Sequence, residues 1–567
     1  MAGIRLDIDA NRDGEIETGE PGRWDWVWAA DGAGAILVPD LDIEAPGAPN
    51  AELAEMRLAV DDPLDDGLQL LLSIDRAAAA AVTIYRRGDG GGLEAIAGAE
   101  AGPDGRTLPI GGPLKPDGEM LYVRARTFPD ISFRGLVEIF VVAVDGAGQS
   151  RGIVDSVLFR VAPWIMTPNT LPPERVYAVS LADGENEEFL AGLRAACDEA
   201  GVPLQVVESD LSGGDRWIQD EIEFGYAQGP AGTLPVVCDG PRNRQLDYLA
   251  EAHLQADGVG VVEVGSHLGD RSSLDSFGNL EVSPPVRVDG VTYPLGRIVL
   301  GNRRRNPSDP LKDRRPALRL REFLYAQEVQ SPFEIYSDWL AVGHVDEVIS
   351  FVPARSDVGF EVLIASPRDA EALFRRLADE GHEDAVCWPG RERIVNPETG
   401  QSVNAEETVR QLLDRRELWP FNASCQEILD EIREDLQREL GLDASAIKPI
   451  PVLFRNVGRP DEVAALAYFP DMVNHLVLGD VSVVPKPYGP AIDGRDPLEQ
   501  AFIDAVPHRT VRFIDDWLAY HEMSGEVHCG TNTLRRPPAD VRWWEHRPLG
   551  SHDASVRLAS GVALGMH

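Results

Sequence analysis

The run Gly525-Glu526-Val527-His528-Cys529-Gly530-Thr531-Asn532 places a cysteine among small and polar residues. Most cysteines are small core hydrophobes, and Cys197, on the apolar side of a helical pattern, fits that role. Cys529 does not: glycine beside it permits close substrate approach. A free thiol with His and Asp elsewhere in the chain is a candidate nucleophile. A second segment, Gly343-His344-Val345-Asp346-Glu347, reads as a strand with His344 and Asp346 on one face. A lone buried histidine is more often structural, but one with an acid two residues on is a general acid/base candidate. The third is Gly214-Asp215-Arg216-Trp217-Ile218-Gln219-Asp220-Glu221-Ile222-Glu223-Phe224. Read as a strand, it puts Gln219, Glu221 and Glu223 on one face and Asp220 on the other with Ile218, Ile222 and Phe224. The acidic face suits a solvated edge or a cation site. Asp220 suits a buried salt bridge or a functional carboxylate, because an acid on an apolar face must be paired. The fourth segment, Asp9 to Glu20, fits a twelve-residue calcium loop. Asp9, Asn11 and Asp13 take positions 1, 3 and 5, Gly14 makes the turn, Glu15 follows, and Glu20 supplies the last carboxylate. The competing reading is an Asx-rich turn without metal.

These groups need elements to hold them. Residues 1–160 read as short strands split by Asp-Gly turns, such as Met120 to Ala125 and Leu136 to Val144. Strands at this spacing without helices predict an antiparallel β-sandwich of immunoglobulin type. From residue 161 to 567 strands alternate with helices. Glu187 to Ala200 carries Phe189, Leu190, Leu193, Ala196 and Cys197 on one face with Gly201 as a stop, and a later helix runs through Cys425 to Leu440 and ends at Gly441. The fold class is thus a two-domain chain, a β-sandwich followed by an α/β or α+β domain. No fixed-period repeat is visible, so any internal symmetry is structural only.

The chain has 567 residues with 53 Lys+Arg against 94 Asp+Glu, a formal charge of −41. That balance argues against nucleic acid and anionic membranes as partners. The five cysteines are scattered without a CxxC pair, which speaks against a disulfide framework or a structural zinc site. No apolar h-region or membrane-length apolar run is visible. The default expectation is the cytoplasm, with leaderless secretion left open.

Taken together these segments resemble the protein-arginine deiminases. The resemblance is carried by Phe159-Arg160-Val161-Ala162-Pro163-Trp164-Ile165-Met166-Thr167-Pro168-Asn169-Thr170, the Gly214 to Glu221 run, Pro241-Arg242-Asn243-Arg244, Leu274 to Pro285, Val342 to Glu347 and Glu526 to Asn532. It spans essentially the whole chain, and it implies an immunoglobulin-like domain followed by a five-bladed α/β propeller of the pentein type, without the first immunoglobulin-like domain of the vertebrate enzymes. It implies Cys529 as nucleophile, His344 as acid and base, and Asp220 with Asp346 as the carboxylates that grip a guanidinium. Trp217 would pack on the arginine stem, Arg244 would bond peptide carbonyls, and Arg242 is a further candidate for substrate binding. Met523 stands where the family carries another peptide-binding arginine, a departure that bears on peptide preference.

The same resemblance implies several calcium ions. Gln219, Glu223 and Glu281 with the carbonyls of Phe277 and Leu280 match one site. Glu221, Asp239 and Asn243 match a second. Asp40, Asp42, Glu44, Asp62, Asp66 and Asp257 match outlying sites. The expected activity is calcium-dependent hydrolysis of protein-bound arginine to citrulline and ammonia through a covalent thiouronium. The expected partners are arginine-containing proteins or peptides, and the expected state a monomer or homodimer. Two alternatives stand beside it: a same-fold hydrolase of a free guanidino compound (arginine, agmatine or methylarginine), and a calcium-binding structural protein with an inactive deiminase domain.

Overall fold

Period-two burial builds the N-terminal part. In the strand Leu136–Val144 the residues Val137, Ile139, Val141 and Ala143 point inward, and Leu121, Val123 and Ala125 do the same in Glu119–Ala125. The computed structural model describes residues 3–43, 52–65, 67–88, 90–101, 108, 110–242, 244–265, 272–304, 314–396, 401–458 and 463–548. One five-stranded antiparallel sheet runs Ile4–Asp7, Ala54–Val60, Glu119–Ala125, Val82–Arg87, Leu93–Gly98. The other runs Ala35–Leu37, Ser150–Val161, Leu136–Val144, Gln69–Ile74, Ile110–Pro113. It is antiparallel except where Ala35–Leu37 lies parallel to the end of Ser150–Val161. Inward residues of both sheets share one apolar core, so the two sheets form a sandwich.

The rest of the chain repeats one pairing rule. Five sheets of three or four strands each contain an antiparallel pair whose second strand then takes a parallel neighbour. The antiparallel pairs are Ile222–Gly229 with Gly232–Asp239, Leu280–Val282 with Ile298–Asn302, Ile349–Pro353 with Phe360–Ser366, Leu476–Leu478 with Val481–Pro485, and Thr531–Arg535 with Pro173–Val179. A parallel neighbour requires a crossover, and four of the five crossovers hold an α-helix of nine or more residues: Glu187–Ala200, Leu318–Ala326, Pro367–Asp379 with Leu418–Leu440, and Pro497–Ala505. Glu187–Ala200 buries the five residues its spacing predicts, and Gly201, at φ +68°, caps it in the left-handed region. The later helix spans Leu418–Leu440, with Pro420 in its first turn, where proline is tolerated, and Gly441 as its left-handed cap.

The repeat positions the chemistry. Asp220 stands two residues before the first-named strand of its antiparallel pair, Gly278 two before, Asp346 three before, Asn474 two before and Cys529 two before. Five segments far apart in sequence therefore end at equivalent places in five sheets. At the junction with the sandwich, Trp26 stacks on Trp543 with ring centroids 5.6 Å apart, and Arg160 lies over Trp28. Among the described residues no helix is long and apolar enough to cross a membrane.

Candidate active site and cation sites

Two local expectations are corrected. Ile218–Glu221 is a helical turn, and strand begins only at Ile222. Gln219 and Glu223 still meet, as i and i+4: Gln219 Nε2 donates to Glu223 Oε2 at 2.8 Å. Likewise Val345–Glu347 is a 3-10 turn with His344 at its N-cap. The Glu347 carboxylate accepts from the backbone N–H of Gly343 at 2.9 Å and of His344 at 2.7 Å, which closes the turn. His344 and Asp346 are thus gathered by a tight curl, not by strand alternation.

The curl, the helical turn and the Phe277–Asn279 segment converge. A methyl group on Gly278 would stand 2.6 Å from His344 Nδ1, 3.2 Å from Asp220 Oδ1 and 3.2 Å from Asp346 Oδ2. His344 Nδ1 is 3.5 Å from Asp220 Oδ1. Its Nε2 lies 2.7 Å from the Ser273 carbonyl; a carbonyl only accepts, so Nε2 carries the proton and Nδ1 faces the space. Asp220 Oδ1, Asp346 Oδ1 and His344 Nδ1 are buried and make no hydrogen bond. Cys529 Sγ lies 3.5 Å from Asp346 Oδ2 and 3.2 Å from Asn474 Nδ2. Trp217 packs edge-on against Tyr520 and lies over Gly525, where an added methyl would also touch the Cys529 Cβ at 3.2 Å. Side chains that bear chemistry therefore surround a space left by a glycine.

Electrostatics suit that space to a cation. Burial pushes the Asp220 carboxyl up; His344 and Arg242 pull it back, and Asp346 adds to the rise. Burial, then Asp346 and Asp220, push the Cys529 thiol well above its ordinary range. Both costs fall when positive charge enters. A planar N–H donor group matches the acceptor atoms that stand without partners.

The residues expected to hold calcium fall into groups. Gln219, Glu223, Leu280 and Glu281 line a cavity of about 20 Å³, room for one water-sized species, and Phe277 is buried next to them in sequence. Burial, with Glu281 adding to it, pushes Glu223 up to about 8, and burial, with Asp346 adding to it, pushes Glu281 up to about 7. Glu221 Oε1 and Asp239 Oδ1 are buried without partners, and burial pushes these acids up to about 7 and about 9. Uncompensated buried oxygens of this kind fit a hard cation. Asp40 and Asp42 gather with Glu52, which the sequence reading missed. Asp62 and Asp257 are exposed. Asn243, Glu44 and Asp66 lie outside the described residues. In the Asp9 loop the carboxylates bond their own backbone: Asp9 accepts from Asp13 and Gly14 N–H, Asp13 accepts from Glu15 N–H, and Glu20 accepts from Ala10 and Asn11 N–H.

Arg242 requires a correction. Expected at the substrate, it is buried, with Nη1 2.6 Å from Asp215 Oδ2 and 2.8 Å from Glu221 Oε2, and Nε 3.6 Å from Asp220 Oδ2. Its guanidinium is engaged by three carboxylates and is not free to bond a peptide. Arg244, two residues on, is exposed.

Residues 152–545 match the family described as protein-arginine deiminase, and residues 2–145 match its middle domain. The chain belongs to the protein-arginine deiminase family. Protein-arginine deiminase type-1 of Mus musculus is 38% identical, over 96% of this chain and 82% of its own length. The Homo sapiens type-1 protein is also 38% identical, with the same coverage. Among solved structures, a C. Jejuni agmatine deiminase aligns at 12% identity over 67% of this chain and 98% of its own, with a TM-score of 0.37. The present protein is accordingly a deiminase, a hydrolase by reaction class. Gly278, Asn474, His528, Asp215 and Glu52 are the participants the sequence reading did not single out. Gly278 sits within the quoted Leu274 to Pro285 string and His528 adjoins the thiol, but no spacing marks Asn474.

Proposed function

We propose that this deiminase hydrolyses protein-bound arginine to citrulline and ammonia. The observation that carries the reading is the set of unpartnered buried atoms of Asp220, His344 and Asp346 around Gly278, beside the Cys529 sulfur. The two aspartates bind the guanidinium N–H groups, and Trp217 packs on the aliphatic stem, with Arg244 outside to meet the peptide. The cation lowers the thiol's ionisation cost. The Cys529 thiolate forms a bond to the guanidinium carbon, giving a tetrahedral adduct. The proton released as the Cys529 thiol ionises is held on His344 Nδ1, which gives it to the departing nitrogen; the C–N bond breaks, and ammonia leaves. A water then gives a proton to His344 Nδ1 as its oxygen bonds the thiouronium carbon. The C–S bond breaks, the remaining hydroxyl proton passes to solvent, neutral citrulline leaves, and the thiolate returns with His344 Nδ1 again protonated.

The proposal includes calcium. Gln219, Glu223, Glu281 and the carbonyls of Phe277 and Leu280 would hold one ion, and Glu221, Asp239 and Asn243 a second. Asp40, Asp42 and the Asp9 loop would serve outlying ions. Bound there, calcium supplies positive charge that offsets clustered carboxylates and orders the segments carrying Asp220 and Gly278. We also assign an immunoglobulin-like domain to residues 1–160 and a five-bladed propeller domain to residues 161–567; the repeated sheet pairing supports the latter.

The test measures citrulline on an arginine-containing protein and on free arginine across a calcium titration, with wild type and Cys529→Ala. Preference for the protein, loss of activity in chelator and an inert variant are expected. Equal use of free arginine would favour a small-guanidine hydrolase. Activity in excess chelator would remove calcium from the reading, and an active Cys529→Ala would remove the nucleophile.

A further inference from the structure

The geometry points to Asn474 as a further catalytic residue, the side-chain donor that holds the Cys529 sulfur as a thiolate. The inference rests on the reading of Cys529 as nucleophile. Four of the five sheets place Asp220, Gly278, Asp346 and Cys529 in the segment just before the first-named strand of their antiparallel pair; the fifth places Asn474 there, two residues before Leu476–Leu478.

Its orientation is fixed by its own bonds. Asn474 Oδ1 accepts from the backbone N–H of His528 at 3.1 Å and of Cys529 at 3.2 Å. Two donors set the carbonyl end, so the amide cannot be flipped. The NH₂ end then faces Sγ at 3.2 Å. The backbone is tied as well, with the His528 N–H donating to the Asn474 carbonyl at 3.2 Å. Asn474 is 1% exposed, so the bond is made away from water.

The sulfur needs such a donor. Among the described residues no other side-chain N–H has a hydrogen bond to it; the Glu526 main chain is its other stabilising contact. The nearby carboxylates of Asp346 and Asp220 oppose a negative sulfur. Hydrogen bonds to charged groups are worth about twice neutral ones, so the Asn474 bond strengthens as the thiol ionises. The same bond is present again when the C–S bond breaks and sulfur departs with the electron pair.

The test compares Asn474→Ala and Asn474→Asp with wild type. The first readout is the pH midpoint for alkylation of Cys529 by iodoacetamide. The second is kcat and KM measured separately on an arginine peptide with calcium present. Both variants are expected to move the midpoint up by about one to two units and to lower kcat by roughly 10²-fold or more. KM is expected to change less than about threefold, because Asp220 and Asp346 are intact. Asp keeps an acceptor for the two backbone N–H groups but sets an anion against sulfur, so it should be the slower variant. If Ala fails to fold, Asp and Asn474→Ser are read by the same two assays, with the calcium-induced rise in melting temperature as the folding control. A midpoint and kcat at wild-type values in a folded variant would overturn the inference, as would a loss confined to KM. Activity in Cys529→Ala would instead overturn the nucleophile reading beneath it, whatever Asn474 does.

Discussion

His528 Nδ1 lies 2.9 Å from Asp346 Oδ2, while its Nε2 faces Glu281 Oε1 at 3.9 Å. One buried imidazole thus spans a carboxylate of the proposed guanidinium space and a carboxylate of the first candidate cation site. Replacing it with alanine leaves Asp346 without the bond that orients it. We expect His528→Ala to raise KM for an arginine peptide about tenfold, the loss of one charged hydrogen bond, with a smaller change in kcat. Steady-state kinetics check this; an unchanged KM would mean Asp346 is held by other contacts.

Gly278→Ala tests where the guanidinium sits. The added methyl would lie 2.6 Å from His344 Nδ1, inside van der Waals contact. Gly278 is not among the positive-φ glycines, so the backbone tolerates alanine. Activity should fall by about 10²-fold or more with little change in melting temperature. A Gly278→Ala protein with near wild-type kcat/KM would place the substrate elsewhere.

Arg242 binds carboxylates that calcium would also seek. Arg242→Met strands Asp215, Glu221 and Asp220, and breaking a buried pair from one side costs about 3–5 kcal/mol. The variant should melt well below wild type in chelator. Calcium should recover more stability in the variant than in wild type, because both Glu221 oxygens are then available. Thermal melts with chelator and with millimolar calcium decide; an equal calcium increment in both proteins would contradict the competition.

Behind the thiol segment lies a buried acid pair. Burial pushes Asp516 and Glu526 upward, and each acid acts on the other. Apart from the Glu526 carboxyl itself, neither Asp516 carboxylate oxygen has a hydrogen-bond partner. Raised acids keep protons in the folded state that the unfolded chain has released above about pH 4. Their contribution is therefore full at low pH and is lost as pH rises through the folded values. Asp516→Asn should flatten this decline, making the variant relatively more stable at pH 8 than at pH 5. Denaturant melts at the two pH values measure it, and a parallel pH dependence in both proteins would reject it.

Much of this was legible in the chain. Glu187 to Ala200 announced itself through a one-sided apolar face and a terminal glycine, and Leu136 to Val144 through strict alternation. Cys529, His344, Asp220 and Asp346 stood out by residue type and neighbours. The turn at Ile218–Glu221 did not, because four residues are too few to separate a helical from a strand period. Arg242 was misread because a cation beside a site can meet substrate or carboxylates, and only the fold shows which acids face it. Asn474 carried no signal: its partners lie more than fifty residues away, and its place becomes meaningful only beside the four equivalent segments of the other sheets.

The pairing of Pro173–Val179 with Thr531–Arg535 has a consequence for synthesis. A ribosome delivers Val179 long before Arg535, so that side of the early strand waits through most of translation without its antiparallel partner, the exposure that invites wrong pairing. Cys529 arrives in the same stretch that finally covers it. A partly made chain therefore lacks the proposed nucleophile however much of the cradle has formed, and reactivity begins only as the last strand docks.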